Sequence, residues 1–295
     1  MFKSGFIGII GRPNVGKSTL LNAILGEKLA IATPKPQTTR NRILGIKTFE
    51  EGQLIFVDTP GIHRISTPLN RTMVEAALDT IRTVDVLLLL VDAGAGFHPG
   101  DGHIIDKLAD TALPVLLVIN KIDRVEKKTL LPLIDRFRHM YAFREILPVS
   151  AQRGDGVRIV IAELLGILPE GPRYFPEDMI TDRSERFIAS EIIREKITLL
   201  THKEVPYAVA VVVEAFKEEE QRNLIRIAAT IHVEKGSQKA ILIGKGGAML
   251  KEIGIQARKE LERFFAAKIF LELFVRVQKD WTRNPRMLRE FGYKS

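Results

Sequence analysis

Five stretches in the first 170 residues are apolar with little polar alternation: 6–11 (FIGIIG), 53–61 (QLIFVDTPG), 85–93 (DVLLLLVDA), 114–123 (PVLLVINKID) and 145–151 (EILPVSA). Strands covered on both faces of a sheet read this way, whereas a half-exposed strand alternates. Between them, amphipathic stretches at 17–26, 69–82, 101–111, 129–141 and 156–167 predict helices. Such a βα alternation predicts a three-layer α/β domain around a mostly parallel sheet. Residues 168–178 (LPEGPRYFPED), with three prolines and a glycine, predict a break. The expected organisation is a first domain over 1–172, a linker over 173–181 and a second domain over 182–295.

Beyond the break the pattern changes. A helix over 182–202 leads to strands within 207–216 and 222–233, then to a short helix ending at the glycines of 244–247. A longer helix over 247–266 and a strand over 268–278 complete the order α-β-β-α-α-β, a compact α+β unit.

Composition narrows the class. A chain of 295 residues supports two domains with separate cores. It has no cysteine, hence no disulfide and no thiolate metal site. The longest apolar run, VLLLLV at 86–91, is too short to cross a bilayer, and the opening MFKSGFIGII carries no cleavable signal pattern. A soluble cytoplasmic monomer is expected. The formal charge of +8 is concentrated: residues 221–295 hold 16 Lys/Arg against 7 Asp/Glu, while the rest hold 28 against 29. A basic last quarter points to nucleic acid or to an anionic membrane surface.

The segment GRPNVGKS fits G-x-x-x-x-G-K-[ST], follows a predicted strand and opens a predicted helix. In such a loop Gly11, Arg12, Pro13, Asn14, Val15 and Gly16 curl so that backbone N–H groups surround phosphates, with Thr19 in the helix behind. Lys17 would reach the β- and γ-phosphates, and the Ser18 hydroxyl would ligate Mg²⁺. The loop alone leaves ATP and GTP open. Three further strand ends decide between them. Asp58, Thr59, Pro60 and Gly61 form DTPG, with Asp58 placed for the magnesium water shell and the Gly61 amide near the γ-phosphate; Ile62 follows. Asn120, Lys121 and Asp123 belong to NKID, whose Asp123 carboxylate can accept from guanine's ring N–H and exocyclic amine. Adenine presents no such donor pair, and a buried unpaired carboxylate would penalise it. Ser150 and Ala151 follow the next strand, where a backbone amide can meet the guanine carbonyl. The ligand read from these residues is GTP or GDP with Mg²⁺.

These motifs together resemble those of translation-factor-type GTPases, and GRPNVGKSTLLNAILG with PQTTRNRI is similar to the Era family. The resemblance implies that Thr39 is the switch threonine contacting Mg²⁺, with Thr38 the competing choice. It also implies that Asn14 ligates K⁺ beside the β–γ bridge, the alternative being that it only shapes the loop. Many GTPases place a glutamine after the DxxG glycine to orient water. Ile62 cannot do so, and His63 would need a shifted loop. Lys17, Thr39 and Asn14 are therefore the expected catalytic set.

The second glycine-rich loop, 244–247, differs from the first: Ala248 stands where a hydroxyl would be needed, and a helix rather than a strand precedes it. Its setting resembles the G-x-x-G loop of a type II KH domain, which clamps a nucleic-acid backbone. Gly244, Lys245, Gly246 and Gly247 would contact RNA, with Lys239, Lys251 and Arg258 extending the positive footprint. Trp281, Phe291 and Tyr293 in the basic tail could stack on bases or dock on the domain. Resemblance to Era implies that the partner is the 3′ end of small-subunit ribosomal RNA within the assembling small subunit. The competing reading is a signalling GTPase whose basic tail makes weak peripheral contact with the inner face of the cell membrane.

Overall fold

The computed structural model describes residues 1–33, 35, 40–58, 61, 69, 75, 80 and 82–293. The chain divides into two compact units, with the main boundary in sequence between Asp182 and Arg183.

In the first unit, β1 (Lys3–Gly11), β2 (Ile43–Thr48), β3 (Gly52–Asp58), β4 (Val86–Asp92), β5 (Val115–Asn120) and β6 (Glu145–Val149) form a sheet in the order β2-β3-β1-β4-β5-β6. All neighbours are parallel except β2, which runs antiparallel to β3 at the edge. Every residue of β3 and β5 is buried, as their unbroken apolar pattern predicts. Helices α1 (Lys17–Leu25), α2 (Pro99–Leu108), α3 (Leu130–Arg138) and α4 (Val157–Ile167) alternate with the strands. The expected helix over 69–82 lies largely outside the described residues.

Three expectations need correction. Strand β2 (ILGIKT) departs from the pattern reading because it is a short edge strand, three of its residues only partly buried, directly after the polar PQTTRNRI segment. Helix α2 starts at Pro99 rather than 101: the His98 ring nitrogen accepts from the Gly100 N–H at 2.9 Å, and proline suits a first helical position. Residues 173–181 pack on the first unit instead of forming a detached linker. The buried Gln53 amide donates to Phe175 O and accepts from the Tyr174 and Phe175 N–H groups, and Ile46 N–H donates to Ile180 O.

In the second unit, α5 (Glu185–Leu200) precedes β7 (Ala210–Glu219) and β8 (Leu224–Val233), which pair antiparallel. Then come α6 (Gly236–Ile243), α7 (Ala248–Phe265) and β9 (Lys268–Val277), the last parallel to β8, giving the order β7-β8-β9. The expected α-β-β-α-α-β order is present, followed by a short helix α8 (Pro285–Glu290). The terminal aromatics dock. Trp281 is fully buried with its indole N–H on Ala208 O at 3.0 Å, and Tyr293 stacks on it at 5.7 Å. Phe291 lies against both Trp281 and His232. No helix among the described residues is long and apolar enough to cross a membrane.

Candidate functional site

In a parallel sheet the loops that follow the strands collect along one edge, where open α/β folds bind ligands. Here residues of 13–18 after β1, Gly61 beyond β3 and residues of 120–123 after β5 line a cavity of about 560 Å³, with Ser150 and Ala151 after β6 bonded to Asp123 and Asn120 behind it. Asn14, Lys17, Ser18, Gly61, Asn120 and Asp123 are among its lining residues.

The loop between β1 and α1 is built on left-handed backbone at Asn14 (φ 65°) and Gly16 (φ 102°). A Cβ at Gly16 would collide with the Asn120 amide, so only glycine allows the two loops to touch. Asn120 is the brace between them: its Nδ2 donates to Val15 O at 2.9 Å, and its Oδ1 accepts from Ala151 N–H at 3.0 Å. Of the two backbone amides expected near the guanine carbonyl, that of Ala151 donates to Asn120 and that of Ser150 to Asp155 O in this structure. Lys121, itself left-handed (φ 64°), donates to Asn14 O and to Asp92 Oδ2, both at 2.6 Å. Asn120 and Lys121 thus both line the cavity and tie its loops together.

Lys17 is buried and donates to Gly11 O at 3.1 Å and Arg12 O at 3.0 Å. Burial pushes its pKa down to about 8; Asp58 opposes the shift and Arg12 adds to it. Ser18 Oγ donates to Asp58 Oδ2 at 3.1 Å. A hydroxyl and a carboxylate, both hard oxygen ligands, therefore meet near the buried Lys17, a set that suits Mg²⁺. Gly61 sits directly against Pro13, where an added Cβ would lie 2.8 Å from the proline nitrogen.

On the base side, Ser150 Oγ donates to Asp123 Oδ1 at 2.6 Å. That hydrogen bond is the main cause holding the Asp123 carboxyl below its usual pKa, keeping it a pure acceptor. Arg12, expected to take part in the loop through its backbone, directs its guanidinium to Asp101, with Nε 2.7 Å from Oδ1. Thr39, Thr59, Pro60, Ile62 and His63 lie outside the described residues. Asp92, Asp101, Thr33 and Gln152 belong to the site or its supports and were not found from sequence. Asp92 had a signal, since it ends a buried strand of the same parallel sheet; Asp101 looked like an ordinary helix-start acid.

In the second unit Gly244, Gly246 and Gly247 all have positive φ (71°, 59° and 82°). The three differ in surroundings. A Cβ at Gly244 would come within 2.8 Å of Met249, whereas Gly246 and Gly247 have open space beside them. Lys245, Lys251 and Arg258 are exposed nearby, Lys239 half-buried, and Lys251 and Arg258 share a face of α7.

Comparison with known proteins places both halves. Residues 6–121 match the family described as 50S ribosome-binding GTPase, and residues 204–282 match the KH domain. The chain is 65% identical over 293 residues to GTPase Era of Syntrophus aciditrophicus, covering 99% of this chain and 96% of that protein. It is 58% identical to GTPase Era of Geotalea uraniireducens, covering 99% and 98%. Among solved structures, Era in complex with MgGDPNP and nucleotides 1506–1542 of 16S ribosomal RNA superposes with a TM-score of 0.96 at 43% identity, covering all of both chains. An Aquifex aeolicus Era variant bound to GDP·AlF4⁻ does so equally well, at the same identity and coverage. A glycine-containing loop at 11–18 braced by Asn120, an Asp123 carboxylate fixed by Ser150 and a second glycine-rich loop in a KH unit are thus found in one chain with full-length relatives, and the chain belongs to the Era family of GTPases.

Proposed function

We propose that this chain is a GTP-hydrolysing switch that binds the 3′ end of small-subunit ribosomal RNA through its KH unit and acts in small-subunit assembly. The observation that carries the reading is the pairing of a guanine-reading Asp123, fixed by Ser150, with an open Gly246–Gly247 turn flanked by exposed lysines.

The residues divide the work by charge. Backbone amides of 11–18 and the Lys17 ammonium meet the phosphates, and Asp123 selects the base. Ser18 and Asp58 would hold Mg²⁺, which when bound neutralises phosphate charge. Asn14 lines the cavity with Ser18 and would supply an amide oxygen to K⁺, a cation that when bound would stabilise developing charge. Thr39 completes the catalytic set by resemblance. In the KH unit, Gly246 and Gly247 leave room for a ribose-phosphate backbone, and Lys239, Lys245, Lys251 and Arg258 supply the charge.

The test is a direct competition between partners. Labelled RNA corresponding to the 3′ end of small-subunit ribosomal RNA is titrated with the protein, in parallel with vesicles containing anionic lipid. Tight RNA binding with little vesicle association is expected. Vesicle binding without RNA binding would overturn the proposal in favour of a membrane-surface GTPase.

A further inference from the structure

The sheet of the second unit has one covered face and one open face. Ile225, Ile227, Ala229, Ile231 and Ile269 are buried on the first, and α6 and α7, which flank the 244–247 loop, both pack on β9. On the second, the register of β8 with β9 sets Arg226 beside Phe270, Thr230 beside Phe274 and His232 beside Arg276. Phe270 is 46% exposed and Phe274 56%, at positions where the alternation of an outward sheet face calls for polar side chains. The floor beside the rings is low, since Ala215 registers with Ala228 at its centre. The terminal aromatics cover one end of this face, where Phe291 lies on His232 at 4.4 Å, and the two phenylalanines stay open. Arg226 lies over the Phe270 ring at 5.0 Å and is paired with Glu219 at 2.6 Å.

We propose that Phe270 and Phe274 form a second RNA contact, a stacking platform for unpaired bases that flank the stretch held at the 244–247 loop. This rests on the reading of the KH unit as the RNA-binding half of the chain. A ring standing on a sheet surface offers a flat π face on which any base can stack, and the guanidinium plane of Arg226 widens it. Four residues of strand separate the two rings by roughly 13 Å, so each serves a different base. Glu272 stands between them, Lys268 and Arg276 lie at the two ends, and Arg226 shares its charge with Glu219. Little net charge therefore surrounds the rings, and the platform holds bases while phosphates fall to the loop. Two observations favour RNA over an apolar protein segment as the occupant. Residues 221–295 carry 16 Lys/Arg against 7 Asp/Glu, which suits a polyanion. The face is also continuous with the loop's surroundings: β9 packs against both loop-bearing helices and is the edge of its sheet, so RNA leaving the loop reaches the rings by crossing one strand. A loop of this kind clamps about four nucleotides, and the bases on either side are free to stack.

The test uses the full-length protein and two labelled RNAs from the 3′ end of small-subunit ribosomal RNA, one of about four nucleotides and one extended on both sides. The parent should bind the longer RNA more tightly. Phe270→Ala and Phe274→Ala should each weaken binding of the longer RNA roughly tenfold, in the range of one lost base–aromatic stack, and leave the short RNA unaffected. The slope of affinity against salt should keep its parent value, because no phosphate contact is lost. Phe274→Trp keeps a stacking ring and should keep the affinity. The chain's one tryptophan, Trp281, is buried, so quenching of the added indole by the longer RNA and not by the short one reads the stack directly. It also serves as the second measurement if thermal melts show an alanine variant unfolded. Equal losses for the two RNAs would show a merely structural role and overturn the proposal. Unchanged binding of the longer RNA in both alanine variants would overturn it too, and leave the face to a protein partner. If the parent binds neither RNA, the reading of the KH unit beneath the proposal is what fails.

Discussion

The Ser150 hydroxyl donates to Asp123 Oδ1 at 2.6 Å, across 27 residues of sequence, and so fixes a carboxylate that lines the cavity. One consequence is a base-specificity switch. Asp123→Asn replaces a double acceptor with one acceptor and one donor, so GTP affinity should fall and xanthosine triphosphate, which presents a carbonyl at that edge, should gain. A site built to hydrogen-bond a group rejects an analogue lacking it by orders of magnitude, so the crossover should be large. Equilibrium titration with both nucleotides checks it. Unchanged GTP binding would mean that the base does not lie against Asp123.

A second consequence concerns protons. Burial lowers Lys17 to a pKa of about 8, and a triphosphate placed against it must raise that value again. Between about pH 8 and the bound-state value, the complex therefore holds more protons than the free protein. Affinity for GTP should fall as pH rises through about 8, with net proton uptake on binding at pH 8.5. Calorimetry in two buffers of different ionisation enthalpy measures that uptake directly. Zero uptake would place the lysine away from the phosphates. The same shift acts on stability in the opposite direction: an unfolded chain with its lysine at the ordinary value binds more protons above pH 8, so this group makes the nucleotide-free protein relatively more stable as pH rises from about 8 towards 10.5.

Much of this was legible in the sequence, and the reason is physical. Buried parallel strands must be continuous in hydrophobicity, so β1, β3, β4 and β5 stood out, with the apolar edge strand β6 beside them, and the residues just past four of the five were necessarily neighbours. What was missed was either short or long-range. Strand β2 is half-polar and antiparallel at an edge, so it carries no such signature. The Arg12–Asp101 pair spans 89 residues, and no local periodicity reports it. The proline-rich segment after 168 correctly excluded regular structure but not attachment: the single buried amide of Gln53 satisfies three backbone groups of 174–175. The tail aromatics were ambiguous because burial of Trp281 depends on a carbonyl, Ala208 O, that sequence cannot bring near it.

Turnover should depend on the monovalent cation and on Asn14. Hydrolysis is expected to run faster in K⁺ than in Na⁺ at equal ionic strength, with the difference abolished in Asn14→Ala. His63→Ala should have the smaller effect. Phosphate-release assays in the two salts decide it. Equal rates in the parent protein would remove K⁺ from the mechanism and bring His63 forward.

The KH loop should separate into a structural glycine and a contact surface. Gly244 is hemmed in by Met249 and sits at φ 71°, so Gly244→Ala must strain the turn or shift α7. The cost is expected to be about 1–3 kcal/mol, read as a lower melting temperature for the second unit. Lys245 and Gly246 are exposed with open space beside the glycine, so replacing both by aspartate should leave the melt nearly unchanged. The two new charges would instead stand where a ribose-phosphate backbone passes. Single-stranded RNA binding should weaken by roughly tenfold or more, and its dependence on salt should become shallower because fewer counterions are released. GTP affinity and RNA-free hydrolysis should stay near the parent values, since the nucleotide loop at 11–18 belongs to the other unit. Fluorescence anisotropy at three salt concentrations, beside a nucleotide titration, reads both arms at once. Loss of GTP binding with RNA binding intact would mean that the glycines at 244–247 serve the nucleotide, and the division of labour between the two loops would be wrong.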